Sequence, residues 1–234
     1  MQRRLRRIRT AERFVRRMIS AILILSAVYL ADTALDMYRF THRDQTGSEF
    51  TSFADLCDVN PDVAAWLRLD GTRIDYPVVR GRDNFEYLSK DMRGMDYAGG
   101  CLFIDAECSK DLSDEYIIIH GHNMAGGAMF GDLSRYRGSH FFSVNSTGVL
   151  LTPDSIYELT VAGVATADAY DSDVYYVSHD RSMPLDLLER CSLARDLKFV
   201  PGDKMIALST CSGDMTNART VVYVRARYKG ENPE

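Results

Sequence analysis

From residue 66 onward the chain is a succession of short apolar runs separated by Gly, Pro, Asn and Asp, and this pattern restricts the fold more than any other feature. Strand-like runs fall at 66–69, 74–79, 101–105, 116–120, 141–144, 149–152, 157–167, 204–210 and 220–228. The last alternates Val222, Val224 and Ala226 against Tyr223, Arg225 and Arg227, the period of a strand with one buried face. Pro77 points to an edge or the end of its strand. The best helical pattern is 185–197, where Leu187, Leu188, Cys191 and Ala194 or Leu197 form a stripe after Pro184. Shorter helical pieces are expected at 84–88, around Met129, Leu133 and Tyr136, and on the face formed by Phe50, Phe53 and Leu56. Asn60 and Pro61 read as the cap and first residue of another helix. Many short strands with few helices predict a mainly β protein closed, or nearly closed, into a barrel. The alternation of strands and helices that builds a parallel doubly wound sheet is absent.

Charge divides the chain sharply. Residues 1–17 carry eight arginines and one glutamate, a side-chain charge of +7 within a whole-chain charge of −5, so the remainder is acidic at −12. An acidic body argues against a nucleic-acid partner, which needs a basic surface. Residues 1–17 therefore read as a basic cytoplasmic tail, 18–34 as a transmembrane signal anchor and 35–52 as a linker or initial helix. This pattern predicts a single-pass protein of the cell membrane, in contact with lipid, whose body lies outside the cytoplasm. The five cysteines, Cys57, Cys101, Cys108, Cys191 and Cys211, are too few and scattered for a disulfide scaffold, and their odd number implies a free thiol. Whether Cys101 and Cys108 pair is left open.

Three residues have the chemistry and the position for a reactive centre. Cys211 ends the apolar run MIALST and opens a polar loop, where a thiol is held by rigid backbone yet open to a large substrate. A small buried hydrophobe is the equally weighted alternative for a free cysteine. His122 follows a buried run and precedes a Gly-rich loop, and a histidine near a cysteine can take its proton or stabilise its thiolate. Arg219 begins the run after the Cys211 loop; adjacent strands would return its guanidinium to the thiol, where it could stabilise an oxyanion. A surface ion pair with Asp214 is the plainer alternative. His120 and His122 lack the further ligands of a zinc site, so no metal is expected. Because His122 precedes Cys211, a papain-like protease fits poorly.

Taken together, GHNMAGGAMFGDLSRY at 121–136, ALSTC at 207–211 and Arg219 resemble the sortase family, specifically its class B. WLRLDGTRIDYPVV at 66–79, DNFEYL at 83–88 and FID at 103–105 extend the resemblance over most of residues 50–228. It implies an eight-stranded sortase-type β-barrel with an N-terminal helical element and a helix between strands six and seven. It places the catalytic domain at 53–229, with His122, Cys211 and Arg219 as its triad and Asn84 and Ser209 as substrate-binding residues. There are two departures: the loop from Cys211 to Arg219 is short, and His120 stands where a tyrosine is commoner. His120 is accordingly expected to support the loop carrying His122 by a hydrogen bond.

The activity implied is that of a cysteine transpeptidase of Gram-positive type, a thiol-protease-like enzyme without metal or organic cofactor. Cys211 would cleave a C-terminal sorting signal after Thr and hold the acyl group as a thioester. The partners would be surface proteins bearing that signal and the amine of a peptidoglycan cross-bridge or a pilin lysine. An inactive binding barrel and a thiol protease that mainly hydrolyses are the alternatives.

Overall fold

The computed structural model describes residues 18–20, 22, 24, 26, 52–177, 182–211 and 217–232. The chain divides into two units, Met1–Glu49 and Phe50–Glu234. In the first unit the described residues are helical and exposed. The expected tail at 1–17 and all of the linker except Ser52 lie outside the described residues. The expected transmembrane anchor and its single-pass placement are corrected. Crossing a bilayer takes roughly 20 apolar helical residues, and among the described residues no helix is long and apolar enough to do so. Most of 18–34 lies outside them.

The second unit opens with helix α1, Phe53–Val59, started by a capping box in which the Ser52 hydroxyl accepts from the Asp55 N–H and the Asp55 carboxylate accepts from the Ser52 N–H. Phe53 and Leu56 are buried against Val63, Val79, Tyr87 and Phe103, which fixes the helix on the sheet. Asn60 ends this helix rather than starting another, a correction to the sequence reading. Its backbone N–H donates to Leu56 O, and its side chain donates to Tyr87 Oη and Met92 O. Chain released there enters strand β1, Val63–Leu69, which turns at Asp70-Gly71 into β2, Asp75–Val79.

Seven further strands follow: β3 Leu102–Ile104, β4 Tyr116–His120, β5 Thr147–Leu151, β6 Ser155–Asp168, β7 Leu193–Ala194, β8 Lys204–Cys211 and β9 Ala218–Glu231. Their order is β5-β1-β2-β3-β4-β8-β9-β6-β7, and β5 also pairs with β6. That second pairing closes eight strands into a barrel. The two-residue β7 is an extra strand on the edge of β6 beyond β5. The pairs β2–β3 and β4–β8 are parallel and the others antiparallel. Ile117, Ile118 and Ile119 of β4 lie beside Ile206, Ala207 and Leu208 of β8, all fully buried. Burying each Ile or Leu side chain contributes about 1.5–3 kcal/mol, so the strands that carry the site are firmly anchored.

Two segments differ from expectation. Residues 141–144 lie in helix α2, Ser139–Val144, where Phe142 turns inward; four apolar residues do not distinguish a strand from one buried helical turn. The helix between strands six and seven is present, but at Leu185–Arg190 it is a 3-10 helix, and Leu193–Ala194 has already joined the sheet. The pairing to β6 draws this end of the stripe into extended backbone. A one-turn helix α3, Ser172–Tyr175, precedes it, capped by the Asp171 carboxylate.

Candidate active site

Strand β4 delivers two histidines to one end of the barrel. His120 is its last residue, and Gly121 follows at a close approach of side chains: a Cβ there would lie 2.4 Å from Leu102 Cδ2. That close approach lets the chain turn immediately to His122. The His122 ring is held by Leu88, whose carbonyl accepts from Nε2–H at 2.8 Å. A carbonyl only accepts, so Nε2 carries the proton and Nδ1 remains for chemistry. Gly100 lies beneath this ring; a Cβ there would meet His122 Cδ2 at 3.1 Å and Tyr87 O at 2.7 Å.

Strand β8 runs parallel to β4 and ends in Cys211, the exposed one of the five thiols. Antiparallel β9 sets Arg219 directly opposite Cys211. Cross-strand partners project from the same face with Cβ atoms about 5 Å apart, so the guanidinium and the thiol are neighbours by register. The loop at 212–216, including Asp214, lies outside the described residues. Asn123 joins the two halves of the site, its side-chain amide donating to Cys211 O at 2.9 Å.

A cleft of about 370 Å³ gathers His120, His122, Cys211 and Arg219 with Asn84 and Ser209, so every residue singled out from the sequence reaches it. Asn84 and Ser209 are already engaged by protein groups. Asn84 donates to Asp105 Oδ2 and accepts from the Ala106 N–H, while the Ser209 hydroxyl bonds Tyr175 Oη at 2.8 Å. His120 does not bond the His122 loop; its Nε2–H donates to Asp105 Oδ2 at 2.9 Å. Burial pushes the Asp105 carboxyl up, but hydrogen bonds from His120, the Glu107 N–H and Asn84 outweigh it and hold the group below the usual carboxylate range. Asp105, Tyr175, Asn123 and the Leu88 carbonyl are the members that sequence reasoning missed. The FID run ending at Asp105 was their nearest signal.

The other thiols are poorly placed for nucleophilic work. Burial pushes Cys101 and Cys108 up to about 12 and Cys191 to about 11, and it also raises Cys57. Such groups stay protonated at neutral pH. Cys101 and Cys108 are unpaired, and the Cys108 sulfur accepts from the Ile118 N–H. Among the described residues no group of three or more His, Cys, Asp or Glu could hold a metal ion.

An exposed strand-end thiol, flanked by an arginine and a histidine on a closed barrel, belongs to the class of cysteine-dependent acyl-transfer enzymes. A sortase-domain model matches residues 67–227, and the chain belongs to the sortase family, within its class B. Sortase B of Listeria monocytogenes is 28% identical over 192 residues, covering 79% of this chain and 74% of that protein. The structure of Clostridium perfringens sortase B has a TM-score of 0.68 at 28% identity, covering 75% of this chain and 99% of that one. A Streptococcus pyogenes class B sortase involved in pilus biogenesis also has a TM-score of 0.68, at 30% identity, covering 76% of this chain and 98% of that one. The protein is thus a cysteine transpeptidase that works by acyl transfer.

Proposed function

We propose that residues 53–229 form the catalytic domain and cleave a C-terminal sorting signal after Thr, with Cys211 as nucleophile. His122 Nδ1 takes the proton of the Cys211 thiol, the thiolate attacks the threonine carbonyl, and Arg219 holds the substrate or the developing oxyanion. As the C–N bond breaks, His122 gives that Nδ1 proton to the leaving amine and a thioester remains on Cys211. A neutral amine then attacks the thioester, His122 takes the proton released, and the thiolate departs. Asn84 and Ser209, the substrate-binding residues implied by the resemblance, line the cleft and are bonded to Asp105 and Tyr175.

The observation that carries this reading is the pairing of exposed Cys211 with Arg219 across β8 and β9, beside His122 in one cleft. The amine would come from a peptidoglycan cross-bridge or a pilin lysine; the Streptococcus pyogenes relative's part in pilus biogenesis is the reason to test the second. The test incubates the full chain with peptides of NPxTx and LPxTG-like types, with triglycine, diaminopimelate or a lysine peptide as acceptor. Mass spectrometry should find an acyl adduct on Cys211 and a ligated product cut after threonine, both lost in Cys211→Ala. Cleavage without transfer to any acceptor would favour a hydrolytic thiol protease, and no adduct with any peptide would favour a binding barrel.

A further inference from the structure

The cleft contains a second histidine with an acidic partner that the acyl-transfer cycle above does not use. His120 lies beside Ser209 in the β4–β8 register, on the strand face that also carries Cys211 two residues on. Its ring is flanked by Phe103 at 5.3 Å between centroids and by Tyr175, stacked at 6.2 Å. Asp105, itself held by Asn84 and the Glu107 N–H, fixes the ring through Nε2. A carboxylate only accepts, so the proton of the neutral ring sits on Nε2 and its lone pair on Nδ1. Among the described residues no protein group bonds that Nδ1, and the side chain lines the cleft. This is a histidine oriented by a carboxylate that would also stabilise its imidazolium, the arrangement of a general base. His122 is held only by a carbonyl.

Strand geometry puts His120 within reach of the second half-reaction. One strand spacing across and two residues along place its Cα about 8 Å from that of Cys211, near enough for its ring to meet a molecule bound at the acyl carbon. An alkylamine brings a proton that His122's cycle does not handle, because only roughly one lysine-type amine in 2,500 is neutral at pH 7.

We propose that His120, oriented by Asp105, is the base that deprotonates the incoming ammonium nucleophile at the Cys211 thioester. This rests on the function proposed above and adds a proton acceptor dedicated to its second half. In the step, the ammonium N–H bond breaks and its proton moves to His120 Nδ1, giving a neutral amine and an imidazolium paired with Asp105. The nitrogen lone pair then forms the amide bond as the thiolate leaves, and His120 later releases its proton to solvent. Asp105 is a positioning residue in this scheme. The other titratable or charged groups around the ring are Tyr175 of α3, Glu107 and His122 at the cleft wall, and Cys211 and Arg219 on β8 and β9.

The experiment separates the two half-reactions of the full chain. Acylation is followed as the Cys211 adduct, and its resolution is timed with a lysine peptide or with hydroxylamine, an amine already neutral at pH 7. For His120→Gln we expect acylation within about threefold of the unaltered chain and resolution by the lysine peptide slowed by about 10²-fold, the low end of general-base effects. Hydroxylamine should restore the rate to within a few-fold, and raising the pH should narrow the lysine-peptide deficit. Asp105→Asn should show the same amine dependence at smaller amplitude. Equal slowing with both amines, or loss of acylation as well, would assign His120 a structural role and overturn the proposal; so would an unchanged lysine-peptide rate. Absence of any Cys211 adduct in the unaltered chain would instead remove the underlying function.

Discussion

Cys211 differs from the other four cysteines in exposure, and that alone predicts the order in which they react. Cys101 and Cys108 are buried, Cys57 and Cys191 are partly covered, and burial favours the protonated form of all four. Brief treatment of the native chain with iodoacetamide should modify Cys211 first, as read by peptide mapping; labelling of Cys101 at the same rate would contradict the burial described. Arg219 gives a second expectation at this scale. Removing one oxyanion donor typically lowers kcat about 10²–10³-fold, so the role proposed for Arg219 predicts a loss in that range for Arg219→Ala with an unchanged melting temperature, and only partial recovery in Arg219→Lys. Loss of turnover accompanied by unfolding would mean that the arginine serves the fold. Cys211, His122 and Arg219 were legible in the sequence because each ends or begins an apolar run. Asp105 was not, since its bond to His120 is created by the β3–β4 register, in which Phe103 lies opposite His120. Tyr175 was hidden for a similar reason: a short helix far along the chain carries it to Ser209.

At the scale of elements, the loop from Gly121 to Gly131 decides whether the strands deliver a usable site. Phe130 N–H donates to His122 O, and an isolated bridge joins Asn123 to Met129, so the loop folds back on itself. Asp132 anchors its far end, accepting from the Arg73 N–H and pairing with Arg135. Gly121→Ala should cost about 1–3 kcal/mol by overpacking, because the new Cβ would be 2.4 Å from Leu102 and 2.8 Å from Phe130. Urea unfolding would measure this, and a variant as stable as the original would mean that the β4 end can shift. Asn123→Ala tests the link to Cys211 O without a packing penalty, since Asn123 is exposed. Losing this bond should cost no more than about 1 kcal/mol of stability while reducing turnover several-fold, as steady-state rates and urea unfolding would show. The Gly-rich composition announced this loop, but composition carries no information about which carbonyl Asn123 would hold. Local pattern also failed where tertiary pairing decides: Ala194 continues a helical stripe, yet it pairs with Gly163 of β6 and its neighbour Leu193 with Val164.

For the whole molecule, the sequence revealed a mainly β chain and the approximate positions of most strands, because alternation and turn residues are local signals. Strand order was not readable in this way: the parallel pairs β2–β3 and β4–β8 and the closing pair β5–β6 join segments with no local mark of their partner. The consecutive strands β8 and β9 pair antiparallel, and one ion pair ties the entry of β8 to the far half of β9. Both Asp203 carboxylate oxygens accept from Arg227, at 2.7 and 2.6 Å, and Oδ2 also accepts from the Val200 N–H. Hydrogen bonds from Arg227, opposed by burial and aided by the Val200 N–H and the arginine charges, hold Asp203 below the usual carboxylate range. A carboxyl whose pKa is lower in the folded than in the unfolded chain stabilises the fold above its unfolded value, about 3.9 for Asp, and loses that contribution as pH falls through the folded value. Asp105 acts in the same direction. Unfolding free energy should therefore decline as the pH drops below about 4–5. Asp203→Asn should be less stable than the original at pH 7 but decline less steeply, so the two curves converge in acid. Urea titrations at a series of pH values would draw both curves. Parallel curves would mean that the Asp203–Arg227 pair contributes no more to the folded state than hydrogen bonds a neutral amide can supply.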